Sequence, residues 1–158
     1  MAFYHSTPIR FKCTQCSQCC YGGKYAYVRA SAQEIENIIR FMRIDADEFE
    51  TKYLVKLVDH GYGIRMKQSA LAKTLGKQGH CMLLSDEGEC SVYSVRPTQC
   101  RTYPFWPEIL ISEEKWNNEI TRCEGINKGD VVEIAHIEQQ KELSTDAEII
   151  INESVKKD

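Results

Sequence analysis

The chain has 158 residues, a formal net charge of -3, and 42% hydrophobic and 27% charged residues, a profile that fits a soluble globular protein and excludes a disordered one. The slight acidity removes the basic stripe that nucleic-acid binders present, so nucleic acid is not expected as a partner. No apolar run approaches the roughly 18 residues needed to span a bilayer, and MAFYHSTPIRFK lacks the apolar region of a secretory signal; no membrane partner is expected, and the expected compartment is the cytoplasm.

The length suits one domain over residues 1–158, with a core over about 11–130 and a helical tail over 131–158. Eight cysteines are the anomaly: Cys13, Cys16, Cys19, Cys20, Cys81, Cys90, Cys100 and Cys123. In a reducing cytoplasm they should not persist as disulfides, and such a density reads as metal-binding or catalytic.

Beyond the first four cysteines, SAQEIENIIRFMRI places Ile35, Ile38, Ile39 and Met42 on one helical face, and Ser31 with Glu34 forms a capping box. A second box, Asp45 with Glu48, precedes a helix in which Phe49 and Tyr53 stand one turn apart. LVKLVD and YGIRMKQ flank His60-Gly61 and predict a short hairpin. Residues 69–79 read as loop. CMLL and CSVY read as strands joined by the turn SDEGE, which would return Cys90 toward Cys81. Arg96-Pro97 suits a helix start, with Pro104 and Pro107 ending the helix that carries Cys100. Gly125 and Gly129 break structure before a helix opening at Asp130 and Glu133, with another opening at Thr145 and Glu148. No repeat or linker divides the chain. The predicted fold is α+β: a small, metal-stabilised domain of short helices and a few short strands around a cysteine cluster.

Cys13-x2-Cys16-x2-Cys19 is a spacing that lets a tight turn aim successive thiolates at one inorganic centre. Cys20 follows Cys19 directly and would serve another centre or another role. Cys81, Cys90, Cys100 and Cys123 supply either the missing fourth ligand or a second site, since eight thiols allow two four-thiolate sites. Zinc and a [4Fe-4S] cluster with four thiolates each carry a formal charge of about -2. Arg96 and Arg101, flanking Cys100, are the candidates to offset it and so to contact the cofactor; exposed helix arginines are the blander alternative. His5, His60, His80 and His136 are secondary ligand candidates, with His80 best placed beside Cys81, although thiols alone suffice. Tyr21, Tyr25, Tyr27, Tyr93 and Tyr103 lie near the cysteines, where ordinary packing is the preferred reading over a solvent screen.

FKCTQCSQCC, CMLLSDEGECSVYSVRPTQCRTYPF and CEGINKGD together resemble the YkgJ-type CxxCxxCC cysteine-cluster family over roughly residues 11–130. The resemblance is specific, because the ordered cysteines coincide with a C-x-x-Y-x-x-R-P-x-x-C-R-x-Y-P run. Ser17 departs from it, standing where the family usually carries glycine. The resemblance implies zinc or iron chelation, often as an iron–sulfur cluster, and related segments occur in flagellin lysine methylases.

The leading expectation is a metal-binding protein with an accessory, redox or assembly role. Its cofactor would be an iron–sulfur cluster, with zinc as the alternative; its partner is the metal ion or cluster, and any protein partner is unspecified. A cluster-dependent enzyme related to protein lysine methylation and a structural zinc interaction module are the alternatives. No nucleotide-binding glycine loop, GxSxG elbow or HExxH helix is present, and no catalytic residue is assigned.

Overall fold

A computed structural model describes residues 1–22, 27–57 and 61–155. Its strands form small antiparallel sheets, each stitched together from distant parts of the chain. One sheet has the order β3-β5-β4, from β3 (Val28–Ala30), β4 (Leu54–Leu57) and β5 (Gly61–Ile64). The predicted hairpin is therefore present, with Leu54 opposite Ile64 and Leu57 opposite Gly61. His60 and Tyr25 lie outside the described residues.

Helix α1 (Ala32–Met42) begins at the predicted capping box: Ser31 Oγ accepts the Glu34 N–H at 3.2 Å, and Glu34 Oε2 accepts the Ser31 N–H at 2.9 Å. Its Ile35 and Ile38 are buried, with Ile39 and Met42 packed at the margin, as their spacing predicts. In α2 (Ala46–Tyr53) the Asp45 carboxylate caps the N–H groups of Asp47 and Glu48, and Phe49 stacks on Tyr53 at 5.0 Å between centroids. These faces meet Leu54, Ile64, Leu83 and Val92 in one apolar cluster.

Glu34 has a further role that periodicity does not reveal. Its second oxygen, Oε1, accepts the N–H of Thr98 at 2.7 Å and its hydroxyl at 2.6 Å. Thr98 opens α4 (Thr98–Thr102), so one carboxylate joins the starts of two helices 64 residues apart. Pro97 is the residue before this helix, one position earlier than the predicted proline site.

The second three-stranded sheet has the order β2-β7-β6, from β2 (Tyr21–Gly22), β6 (Met66–Lys67) and β7 (Gly79–Cys81). The segment predicted as loop contains α3 (Ala70–Thr74), capped by Ser69; five residues are too few to display a helical period. The predicted strand pair around SDEGE reduces to a single bridge between Leu84 and Cys90, followed by a 3-10 turn at Tyr93–Val95. The turn itself closes tightly, with Ser85 N–H bonded to the Glu89 carbonyl and Gly88 at a φ of +84°.

β1 (Arg10–Phe11) pairs with β8 (Ile126–Val131) across a register shift. A helix is expected to open at Asp130 and Glu133; residues 126–131 extend instead because they complete the β1 pairing, and the helix begins directly after Glu133. Helix α6 (Ile134–Val155) then runs through Thr145 without a second start. The Thr145 hydroxyl bonds back to the Lys141 carbonyl, an intrahelical contact in place of a cap. Between them, α5 (Glu113–Asn118), capped by Ser112, buries Trp116 against Phe105, Ile109, Leu110, Ile126 and Ile137 in a second apolar cluster.

The small α+β character with short helices and strands stands, but the metal-stabilised cysteine cluster at its centre does not. Among the described residues no group of three Cys, His, Asp or Glu side chains could hold a metal ion. What occupies the interior is apolar side chains such as Phe49, Ile64, Trp116 and Ile126, and burying each large one contributes about 1.5–3 kcal/mol.

Two expected outcomes follow. A Cβ at buried Gly125 would stand 2.2 Å from the Lys12 carbonyl oxygen, so Gly125→Ala forces the β1 segment outward. Its denaturation midpoint should fall by the equivalent of about 1–3 kcal/mol; an unmoved midpoint would mean that the contact is relaxed at no cost. Glu34→Ala removes half of a capping box and both bonds to Thr98. A loss of about 2–4 kcal/mol in urea denaturation is expected from a cap plus charge-assisted bonds, and a loss below that of an ordinary exposed-site change would disprove the junction.

Candidate functional site

A cavity of about 840 Å³ opens between the two apolar clusters, and all eight cysteines line it. Short, distant pieces of chain bring them there. Cys13, Cys16 and Cys19 lie on an exposed loop whose Gln15 and Ser17 both adopt left-handed backbone, at φ of 56° and 62°. That conformation costs a residue with a Cβ roughly 1–2 kcal/mol, which explains the fit of glycine at the Ser17 position. Ser17 then starts a 3-10 turn, Gln18–Cys20, closed by the Cys20 N–H on the Ser17 carbonyl at 2.9 Å. Cys81 ends β7, Cys90 forms the bridge to Leu84, and Cys100 rides on α4. Cys123 is held by its N–H on the Glu119 carbonyl, two residues before the Gly125 contact with Lys12.

The adjacent thiols Cys19 and Cys20 titrate as a coupled pair: their mutual interaction, helped by the positive charges of Arg122 and Arg96, lowers Cys19 and raises Cys20, and burial pushes Cys20 further up. Burial pushes Cys81 up to about 11 and raises Cys90, Cys100 and Cys123 as well. At neutral pH these four are thiols, and the negative charge of the wall is concentrated at the Cys19–Cys20 pair.

Arg96, Arg101 and Arg122 line the same cavity. Arg96 donates through Nε to the Tyr93 carbonyl at 2.8 Å and lies over the Tyr93 ring at 3.7 Å. Arg101 donates through Nε to the Arg96 carbonyl and through a terminal nitrogen to Thr98 Oγ1. Arg122 lies 5.7 Å from the Tyr103 ring centroid. Arg122 was not singled out from sequence, because it has no spacing relation to Arg96 and Arg101 and reaches the cavity only through the fold.

Tyr21, Tyr27, Tyr93 and Tyr103 line the cavity, and Tyr21 and Tyr103 are also buried in apolar clusters. His136 touches the cavity through an edge contact with Phe105. His80, the histidine best placed by sequence, is fully buried with both ring nitrogens engaged, one with the Cys81 carbonyl and one with Ser69 Oγ, each at 2.8 Å. His5 lies at the far end of the molecule beside Glu138.

Gathering eight thiols around one cavity is not the same as gathering them around one ion, and the expected zinc or iron–sulfur centre is corrected on this point. Among the described residues no three potential ligands gather closely enough to hold one ion. The assignments of Cys13, Cys16, Cys19, Cys20, Cys81, Cys90, Cys100 and Cys123 as ligands to a metal-ion or cluster partner, and of Arg96 and Arg101 as contacts to that cofactor, therefore lose their geometric support. The metal-binding function and its two metal-dependent alternatives fall with them.

What the arrangement offers instead is a pair of adjacent, coupled thiols, Cys19 the more acidic, on the wall of a cavity of small-molecule size. No solved structure matches the chain. A family model described as "putative zinc- or iron-chelating domain" matches residues 12–124, a span that contains all eight cysteines and the three arginines of the cavity. By that match, which covers well over half of its length, the chain belongs to the CxxCxxCC family.

Proposed function

We propose that this chain performs thiol–disulfide exchange on a disulfide admitted to the cavity, with Cys19 as the attacking sulfur and Cys20 as the resolving one. The placement of these two neighbouring thiols on the cavity wall, with Arg122 and Arg96 on the same wall favouring the charged form of Cys19, carries the reading. Chelation, the property in the family's description, is not carried over, because the donor geometry does not fit it.

The chemistry balances within the named groups. The Cys19 thiolate attacks one sulfur of the substrate disulfide; a protein–substrate S–S bond forms, the substrate S–S bond breaks, and the departing thiolate takes a proton from solvent. Cys19 then no longer carries the charge that opposed ionisation of Cys20. Cys20 loses its proton and attacks Cys19 Sγ, closing a disulfide between the neighbouring residues and releasing the second substrate thiolate. Two protein thiols are oxidised and one disulfide is reduced, with no other reactant. Eight free thiols suit a reducing compartment, and the cytoplasm is part of this proposal.

Single turnover of the full chain with bis(2-hydroxyethyl) disulfide tests the order of attack. The unaltered protein should release two thiols and lose two hydrogens by mass. Cys20→Ser should stall as a mixed disulfide on Cys19, and Cys19→Ser should react at least about tenfold more slowly. A Cys19→Ser chain that reacts at the parent rate would sink the proposal.

The acidity of Cys19 gives a second expectation. Its alkylation by iodoacetamide, followed by peptide mass spectrometry, should rise through a midpoint below that of ordinary cysteine, which is about 8.5. Because the lowered constant reflects stabilised thiolate, Cys20→Ser should move the midpoint toward the ordinary value less than Cys20→Ala, which removes the donor altogether. An ordinary midpoint in the unaltered protein would contradict the coupled pair.

A further inference from the structure

We propose that the cavity selects anionic substrates, small disulfides bearing carboxylates, through Arg96, Arg101 and Arg122. This deepens the exchange reading given above and rests on it for the word disulfide, but the recognition of an anion stands on separate groups.

Among the described residues, none of the three arginines has a carboxylate within ion-pair distance; the recorded ion pairs involve His5, Arg29, Arg40, Lys67 and Lys141. The bonds that Arg96 and Arg101 do make run mainly through Nε, to the carbonyls of Tyr93 and Arg96. They fix each guanidinium in place while leaving both terminal nitrogens of Arg96 and one of Arg101 without a protein acceptor. A planar guanidinium anchored in this way is suited to a bidentate bond with carboxylate.

The rest of the wall does not cancel that charge. Against the three arginines stand the Cys19 thiolate and, among the described residues lining the cavity, the single carboxylate of Glu89. The thiols of Cys81, Cys90, Cys100 and Cys123 are held in their neutral form by burial. In a chain with an overall charge of -3, three arginines against Glu89 and the Cys19 thiolate leave the cavity lining net positive. A net positive lining raises the local concentration of anions, and the apolar and aromatic remainder of the wall, including Met66, Trp106 and Tyr103, suits the sulfur-bearing middle of such a molecule.

The test separates recognition from exchange. Binding of 3,3'-thiodipropionate, a dicarboxylate with a thioether in place of the disulfide, is compared by calorimetry with binding of its dimethyl ester to the full chain. The dianion should bind at least about tenfold more tightly, and Arg96→Gln with Arg122→Gln should remove that preference, while Arg96→Lys retains part of it. Equal binding of dianion and ester to the unaltered chain, or binding of neither, overturns the inference without reference to any variant. In parallel, 3,3'-dithiodipropionate should exchange at least about tenfold faster than bis(2-hydroxyethyl) disulfide. Exchange without a charge preference defeats the inference and leaves the exchange reading standing; dianion binding that persists in Cys19→Ser, with no exchange in the parent, defeats the exchange reading and leaves this one standing.

Discussion

The carboxylate of Glu34 is the joint on which the cavity turns. With one oxygen it completes the cap of α1, and with the other it binds the first residue of α4. The five residues of α4 are too few to be stable on their own, yet they carry Cys100 and Arg101 and, through Arg101, the carbonyl of Arg96. A second strap, the Arg29 N–H on Gln99 Oε1 at 2.6 Å, ties the same helix to β3. One wall of the cavity is thereby set by the cap of a helix that contributes no atom to it. The opposite wall depends on β8 holding β1, where the absence of a side chain at Gly125 lets the Lys12 backbone approach.

Local signals were legible wherever a side chain bonds to its own neighbourhood. Ser31, Glu34, Asp45 and the apolar spacing of Ile35 and Ile38 announce α1 and α2, because caps and periodicity act within one or two turns. The residues that build the cavity act over longer spans. The bond from Glu34 to Thr98, the closeness of Gly125 to Lys12 and the arrival of Arg122 beside Cys19 have no local counterpart in the chain. Residues 126–131 show the same limit: Gly129 and Asp130 suggest a break and a helix start, and only the distant partner β1 makes the segment a strand.

The cysteine spacing illustrates a finer distinction. C-x2-C-x2-C tells where a chain turns, and the turn is there, with Gln15 and Ser17 in left-handed conformations. It does not tell how far each sulfur stands from those of Cys81, Cys90, Cys100 and Cys123, since that distance is set by the volume between two apolar clusters. The cavity is wide enough for an organic molecule, and among the described residues its thiols do not meet at one ion. The strongest coupling is between Cys19 and Cys20, and the charge of Cys19 also helps to raise Cys81, Cys90, Cys100 and Cys123.

The clasp between β1 and β8 also has a history in time. Cys13, Cys16, Cys19 and Cys20 leave the ribosome roughly 110 residues before Gly125 and β8 can follow them, an interval of about 5–20 s at ordinary elongation rates of about 5–20 residues per second. During that interval the loop has no opposite wall, and its thiols are open to any passing oxidant. Each new molecule thus passes through an interval in which this loop exists without the strand that closes the cavity around it, and the cavity is completed only once β8 has been made.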